Sequence, residues 1–543
     1  MEILHLLQRE SRTRPRLLVF LTIISALATV IVIATVSAAA QAAASGQVSL
    51  RLAGIFLVAT VLYALVQNAL MAGFAKEVEG IIHRIRQSVF ADIRAADLLT
   101  LQRIGRAPLF AAMTQDTQTI SRNLPLLIIG SQQLVLVVFI SLYLATLSLA
   151  AFILAAGFCV AAVWLHLARM KALGIATDMA MADEGRLFDG LGGLLRGLKE
   201  VRMSALRSDA LRTDLANVSF EACQAKSAIK AYWAREFALI QLAFYVLIGL
   251  MVFVVPMFTA DFHSVALPGT MAALFLIGPV GTVATAIPAI EDAERALLSI
   301  RTIQGRLKDA LAKRADEAAE PLDKAVTEVA MQDIRFAYPG SEGDPGFSVG
   351  PLSASFRAGQ LTFITGGNGS GKSTMMQLLT GLVPAQGGML RVNGLPLRIS
   401  QMQAWRDNIA AVFSDYHLFS RLYGIEQAEL ERISAMLQTF EMADKVTLHG
   451  DAFSTLDLSA GQRKRLALIA ALLENKPVLV LDEWAADQDP HYRRVFYEQI
   501  LPQLRDSGKI VICITHDDRW FGLADQILHM VEGRFKPATY DAR

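Results

Sequence analysis

Two adjacent acidic residues, Asp482 and Glu483, follow the apolar residues 477–481. An apolar run of this length predicts a buried parallel strand, so both carboxylates would lie where the strand ends. A carboxylate is a suitable ligand for Mg²⁺, which proteins usually bind together with substrate phosphates. The second carboxylate can orient or deprotonate a water molecule. The pair therefore indicates phosphate chemistry, provided that a phosphate-binding loop is also present.

A phosphate-binding loop is found upstream of the acidic pair. It fits the Walker A pattern G-x-x-x-x-G-K-[ST], with the residues Gly366, Gly367, Asn368, Gly369, Ser370, Gly371, Lys372 and Ser373, followed by Thr374. Residues 361–364 before it predict a strand, and residues 375–379 after it predict a helix. Glycines let backbone N–H groups surround phosphates, and a helix N-terminus favours negative charge. We expect Lys372 to reach the β- and γ-phosphates of ATP and Ser373 to help hold Mg²⁺.

The remaining composition indicates a membrane protein. With 543 residues the chain is too long for one compact domain, and its net charge of +1 does not suggest a nucleic-acid partner. Apolar runs of about the length that crosses a bilayer lie before residue 290. They predict six membrane helices, at 17–40, 53–73, 124–147, 149–167, 237–258 and 267–290.

Basic residues set the predicted orientation. They are concentrated in the two long connectors, between the second and third spans and after the fourth, which places both connectors and the C-terminal half in the cytoplasm. The first span resembles either a signal peptide or a retained signal anchor; its length and the five spans that follow favour the anchor. Membrane lipid is therefore an expected partner.

The predicted spans contain no Asp, Glu, Lys or Arg. Ionisable residues within membranes mark ion and proton pathways, so their absence argues against ion-coupled transport. Polar side chains such as Gln67 and Gln132 are present, and two roles stay open for them. They could line a substrate cavity or form hydrogen bonds between helices.

These patterns predict a polytopic α-helical membrane domain followed by an α/β P-loop ATPase domain. The expected boundaries are 1–305 for the membrane domain, 306–325 for a charged linker and 326–543 for the ATPase domain. Residues 326–336 alternate as a strand does and would open the ATPase domain.

A further motif lies between the Walker A loop and the acidic pair. The sequence Leu458-Ser459-Ala460-Gly461-Gln462 resembles the LSGGQ signature of ATP-binding cassette (ABC) proteins. The resemblance implies that Ser459, Gly461 and Gln462 contact a nucleotide held by the opposite subunit. It also implies that Tyr338 stacks on adenine and that His516 senses the γ-phosphate. Six spans before one cassette resemble an exporter-type half-transporter, which implies a homodimer with two composite sites.

The same resemblance implies ATP and Mg²⁺ as cofactors. Glu483 and His516 would be catalytic, and Ser373 and Asp482 would hold the metal. Ser414 stands where most of the family has a glutamine that helps to hold Mg²⁺. A serine is shorter and would reach the metal through a water molecule, and the neighbouring Asp415 is the alternative ligand.

Residues 482–490 carry a narrower resemblance. Most cassettes have Pro-Thr-Ser-Ala-Leu-Asp after the acidic pair, whereas this chain has Trp-Ala-Ala-Asp-Gln-Asp. The segment is similar to bacterial cyclic-peptide exporters of the pyoverdine, syringomycin and microcin types. This implies ATP-driven export of a peptide natural product across the bacterial inner membrane. The product would be a cyclic peptide, a lipopeptide, a siderophore or the precursor of a siderophore. The alternatives are a lipid flippase and a membrane-anchored regulatory ATPase that moves no substrate.

Overall fold

The structure is a computed structural model that describes residues 15–44, 49–254, 262–312, 320–322, 324–339 and 346–536. The chain forms two compact units. One comprises Met1–Arg94 and Gly105–Gly305, and the other comprises Ala95–Ile104 and Arg306–Arg543. A short N-terminal segment therefore belongs to the unit that also contains the C-terminal part of the chain.

The N-terminal part of the chain is formed by helices, most of them long. They are α1 (Pro15–Ala44), α2 (Leu50–Ala95), α3 (Leu98–Ile104), α4 (Arg106–Ala111), α5 (Thr117–Leu147), α6 (Leu149–Arg196), α7 (Leu198–Arg202), α8 (Ala205–Phe253) and α9 (Phe262–Ala312). A π-helical turn, Ala112–Asp116, joins α4 to α5. The two long connectors are helical and continue the apolar segments.

Five helices among the described residues are long and apolar enough to cross a membrane. They contain the first, second, third, fifth and sixth predicted spans, although residues 255–258 of the fifth span lie outside the described residues. The fourth predicted span, 149–167, begins α6. Its described apolar part runs from Leu149 to Ala161, and most side chains beyond that point lie outside the described residues.

Polar residues join three of the membrane helices. The Gln132 side-chain amide on α5 donates hydrogen bonds to Ser25 Oγ on α1 at 2.8 Å and to Gln67 Oε1 on α2 at 2.7 Å. Gln132 and Ser25 are buried. Of the two roles left open by the sequence, Gln67 and Gln132 therefore take the second, hydrogen bonding between helices.

The second unit is built on two large sheets, and two further short strands, the seventh and eighth, form a separate two-stranded sheet. Its strands are β1 (Glu328–Ala337), β2 (Ser348–Arg357), β3 (Gln360–Thr365), β4 (Gly387–Val392), β5 (Leu395–Pro396), β6 (Ile409–Val412), β7 (Leu448–His449), β8 (Ala452–Phe453), β9 (Val478–Asp482), β10 (Ile510–Ile514), β11 (Gln526–Val531) and β12 (Arg534–Lys536). One sheet has the order β12-β11-β3-β10-β9-β6 and the other β2-β1-β4-β5. The predicted strand at 326–336 is β1, which begins two residues later.

Helices cover the larger sheet. They are α10 (Lys372–Leu379), α11 (Met402–Arg406), α12 (Gln427–Leu430), α13 (Ile433–Thr439), α14 (Ala460–Leu473), α15 (Pro490–Val495) and α16 (Leu501–Asp506). Strands β6, β9, β10, β3 and β11 run parallel. Their side chains alternate between two apolar clusters, which explains why these strands are apolar at almost every position.

Helix α3 belongs to this second unit. Asp97 caps its first turn by accepting a hydrogen bond from the Thr100 backbone N–H at 2.7 Å. Leu98 and Leu99 pack against the apolar cluster that contains Val329 and Phe336. A segment far from the ATPase sequence therefore completes part of the core of the unit.

Candidate nucleotide site

The candidate site lies where three parallel strands end. In the sheet, Ile514 of β10 is paired with both Ile364 of β3 and Asp482 of β9. The residues after these positions therefore leave the sheet at one edge. This register brings the Walker A loop, Glu483 and His516 together, although they are far apart in the sequence.

The Walker A loop connects β3 to α10, as predicted. Gly366, Gly369 and Gly371 all have positive φ angles, of 146°, 77° and 101°. A Cβ atom at Gly366 would overlap the carbonyl oxygen of Met530, so only glycine fits there. Ser370 closes a turn by donating its N–H to the Gly367 carbonyl at 3.2 Å, and Asn368 is exposed.

Lys372 opens helix α10 and points into its own loop. Its ammonium group donates hydrogen bonds to the carbonyl oxygens of Gly366 at 2.9 Å and Gly367 at 3.0 Å. The same nitrogen lies 3.9 Å from Glu483 Oε1. Burial lowers the pKa of Lys372, whereas the carboxylates of Glu483 and Asp482 oppose this change. The ammonium is thus positioned at the loop that is expected to hold phosphates.

Asp482 lies beside Ser373, and both offer oxygen donors. The Ser373 hydroxyl donates a hydrogen bond to Asp482 Oδ2 at 3.3 Å. Burial raises the pKa of Asp482, which is 2% exposed, and hydrogen bonds from Ser414 oppose this shift. A hydroxyl and a carboxylate in contact fit Mg²⁺, a hard cation that takes oxygen ligands.

Ser414 is also brought to this position. Its hydroxyl and backbone N–H lie close enough to Asp482 to oppose the rise in the pKa of that carboxyl, and the side chain of the neighbouring Asp415 is exposed. Ser414 therefore lies beside the candidate metal ligand.

Glu483 and His516 form a pair at the edge of the sheet. Glu483 Oε1 and His516 Nε2 are 3.1 Å apart, and both side chains remain partly accessible. The Glu483 backbone is left-handed, with φ 48° and ψ 38°, and its N–H donates to the Ile514 carbonyl at 3.1 Å. This turn directs the chain away from β9 immediately after Asp482.

Tyr338 follows β1 and lies beside α10. Its hydroxyl is 3.3 Å from Thr374 Oγ1 and donates to Gln377 Oε1 at 3.4 Å. Its ring meets Phe336 edge-on, with the ring centroids 4.9 Å apart. The structure therefore places the expected adenine contact next to the helix that the Walker A loop precedes.

The signature residues form the start of helix α14. Ser459 and Gln462 make a capping box in which the Gln462 N–H donates to Ser459 Oγ at 3.3 Å. The Gln488 amide donates to the Gly461 carbonyl at 3.0 Å. In the described part of the chain, Ser459, Gly461 and Gln462 form no hydrogen bond or ion pair with residues 366–373. Gly461 contacts the loop after Glu483 instead.

Comparison with known proteins identifies the fold and the proteins that the chain is similar to. The family model described as "ABC transporter" matches residues 349–486. "ATP-binding protein SyrD" of Pseudomonas syringae pv. syringae is 29% identical over 464 residues, 83% of this chain and 82% of the relative. Residues 349–486 therefore form an ABC transporter ATPase domain, and the chain is similar to SyrD over most of its length. A bacterial Atm1-family ABC exporter with ATP bound, 18% identical, matches 97% of this chain and 94% of its own with a TM-score of 0.76, so the fold of this chain is of the exporter type.

Other relatives match a smaller part of this chain. The ATP-dependent lipid A-core flippase of Sodalis glossinidius is 28% identical over 40% of this chain and 39% of its own. The macrolide export ATP-binding/permease protein MacB of Escherichia coli K12 is 31% identical over 37% of this chain and 33% of its own. The protein is an ATP-hydrolysing membrane exporter.

Several side chains around Glu483 had no role assigned from the sequence. Lys464 of the signature helix contacts the loop after Glu483, as Arg465 does through Asp489. Arg493 donates a hydrogen bond to the same loop and forms an ion pair with Asp517, the residue that follows His516. The opposite charges at positions 464 and 487 are the one signal in the sequence, but the 22 residues between them conceal the pairing.

Trp484 explains part of the unusual segment after Glu483. It is fully buried, stacks obliquely on Phe496 with centroids 4.3 Å apart, and donates from Nε1 to the Lys464 carbonyl at 2.8 Å. We expect Trp484→Ala to destabilise the ATPase unit by about 3–5 kcal/mol, because a large cavity would remain. The measurement is the thermal unfolding midpoint of the purified protein. Trp484→Phe, which loses the hydrogen bond but keeps a ring, should cost less, and an unchanged midpoint for Trp484→Ala would contradict the packing described.

Proposed function

We propose that two identical copies of this chain export a peptide natural product across the bacterial inner membrane. The observation that carries the proposal is the segment 482–490, which is similar to cyclic-peptide exporters in a region where most cassettes differ. The similarity to SyrD supports it, because that match covers the membrane part of the chain as well. We further propose six membrane helices and a cytoplasmic ATPase domain.

In the proposed reaction each ATP is bound between the Walker A loop of one copy and the signature of the other. The Lys372 ammonium gives up its hydrogen bonds to the carbonyls of its own loop and binds the phosphates of the nucleotide. Tyr338 stacks on adenine. Ser373 and Asp482, with Ser414 beside Asp482, would hold Mg²⁺, which would supply positive charge to neutralise the phosphate oxygens. The contact between Ser373 and Asp482 supports this pair as the ligands.

Glu483 is the proposed base that orients or deprotonates the attacking water. His516, 3.1 Å from its carboxylate, orients Glu483 and senses the γ-phosphate. Closure of the two copies around ATP, followed by opening after hydrolysis, would switch the membrane helices between two states.

Mass spectrometry of bacterial fractions tests the substrate class. Strains carrying the wild-type chain or Glu483→Gln would be compared in medium, periplasm and cytoplasm. We expect one peptidic metabolite to disappear outside the inner membrane and to accumulate inside the Glu483→Gln strain. A matched strain with Glu498→Gln should resemble wild type, because Glu498 contacts Trp520 and is not in the proposed site.

A lipid flippase is the second candidate, because a lipid A-core flippase matches 40% of the chain. If hydrolysis is lost in Glu483→Gln while all peptidic metabolites stay unchanged, the proposal of peptide export is wrong. Stimulation of the purified ATPase by lipid, and not by peptide, would then favour the flippase. A regulatory ATPase would respond to neither and would copurify with another protein.

A further inference from the structure

Lys464 is a buried lysine between the signature helix and the loop after β9. It is 6% exposed and lies one turn into α14. Its Nζ is 2.7 Å from Asp487 Oδ2 and donates to the Glu483 carbonyl at 2.9 Å. Its own carbonyl accepts the hydrogen bond from Trp484 Nε1. Both ends of this residue are therefore attached to the loop that begins at Glu483.

The contact with the Glu483 carbonyl fixes an unfavourable backbone. A left-handed conformation is unfavourable for a residue with a Cβ atom, so surrounding contacts must maintain it. On one side, the Glu483 N–H is bound to β10 through Ile514. On the other side, the peptide carbonyl accepts a hydrogen bond from Lys464 Nζ at 2.9 Å and a longer one from the Ala486 N–H at 3.3 Å. Because the backbone direction determines where the carboxylate points, this second contact bears on the orientation of the proposed base.

We propose that Lys464 is a positioning residue that holds Glu483 in the orientation needed for hydrolysis and joins it to the signature helix. The inference rests on the proposed role of Glu483. Asp487 is the counter-charge that keeps the ammonium in place, and it stands where most cassettes have alanine. Movement of the signature helix, which serves one nucleotide, is thereby transmitted to the base that serves the other.

A second contact keeps the loop folded without Lys464. Arg493 donates to the carbonyls of Ala486 and Gln488, both at 3.3 Å, and pairs with Asp517 at 3.4 Å. None of these atoms belongs to Glu483. Loss of Lys464 should therefore remove the shorter of the two contacts to the Glu483 carbonyl and leave it to the 3.3 Å contact from the Ala486 N–H, while the rest of the loop remains attached.

Steady-state kinetics of the full-length Lys464→Met protein in lipid nanodiscs test the inference. We expect kcat to fall by about tenfold to a hundredfold, because a misplacement of about 1 Å has effects of this size. The ATP dissociation constant should stay within about twofold, since the Walker A loop is not changed. Lys464→Arg, which keeps the charge, should recover most of kcat, and Asp487→Ala should lower kcat with ATP affinity retained.

A matched control separates positioning from simple stabilisation. Lys509 also binds a loop carbonyl, that of Lys476 at 2.7 Å, but lies outside the site. Lys509→Met should lower thermal stability and leave kcat unchanged. If Lys464→Met behaves in the same way, or if Asp487→Ala keeps normal kcat, the inference is wrong. If Lys464→Met does not fold, Asp487→Ala decides alone.

Combination with Glu483→Gln distinguishes this inference from the proposed function. Because Lys464 would act through Glu483, adding Lys464→Met to Glu483→Gln should slow hydrolysis no further. Independent, multiplying effects would overturn the positioning role. Normal hydrolysis in Glu483→Gln alone would overturn the role of the base, whereas an inactive Glu483→Gln with a normal Lys464→Met overturns only the inference.

Discussion

Glu483→Gln should lower ATP hydrolysis on the order of a hundredfold or more while ATP binding stays largely intact. Glutamine has nearly the shape of glutamate and can keep the contact with His516, which is 3.1 Å from Oε1. It lacks the negative charge that would orient or accept a proton from water. The Walker A loop and Lys372, which would bind the phosphates, are unchanged.

Single-turnover release of phosphate, together with the ATP dissociation constant, checks this prediction. Glu498→Gln is the matched control, because its carboxylate accepts a hydrogen bond from Trp520 Nε1 at 3.3 Å in the same unit. That variant should hydrolyse ATP at the normal rate. Near-normal turnover in Glu483→Gln would contradict its role as the base.

Lys372→Met should weaken ATP binding by about tenfold to a hundredfold. Hydrogen bonds to charged groups contribute about 1.5–3 kcal/mol, and each 1.4 kcal/mol changes an equilibrium constant tenfold. The Lys372 residue is 6% exposed, and its ammonium donates hydrogen bonds to the carbonyls of Gly366 and Gly367. Methionine fills a similar volume but offers no donor to phosphate.

The readout is the increase in thermal unfolding midpoint that ATP produces, since a ligand stabilises a protein according to its concentration relative to its dissociation constant. For Lys372→Met this increase should nearly vanish at ATP concentrations that saturate the wild type. The control is Lys509→Met, which replaces a lysine that also donates a hydrogen bond to a backbone carbonyl. This variant should keep the full increase. An equal ATP response in both variants would exclude Lys372 from phosphate binding.

Much of the candidate site was predictable because its parts are local. The Walker A loop and the acidic pair each occupy consecutive residues, and both follow apolar runs that form strands. Their convergence follows from a general property of parallel sheets, whose strands end at one edge. The observed register, with Ile514 opposite both Ile364 and Asp482, is an instance of it.

The contacts that hold Glu483 were not predictable in the same way. Lys464 and Asp487 lie on different elements, and their meeting depends on how α14 packs against the loop after β9. Charges at such positions are more often solvated, so the sequence alone gives no reason to pair them. The same holds for Gln132, whose partners lie on two other helices and are visible only in the packed membrane unit.

Helix α3 has a consequence for how the protein is made. Residues 95–104 emerge from the ribosome long before the strands whose apolar cluster receives Leu98 and Leu99. At about 5–20 residues per second, that cluster is completed on the order of tens of seconds later. A seven-residue helix has little stability by itself, so these leucines stay exposed during synthesis. The ATPase unit can complete its core only after translation of the cassette, and a cassette expressed without the N-terminal segment lacks that part of its core.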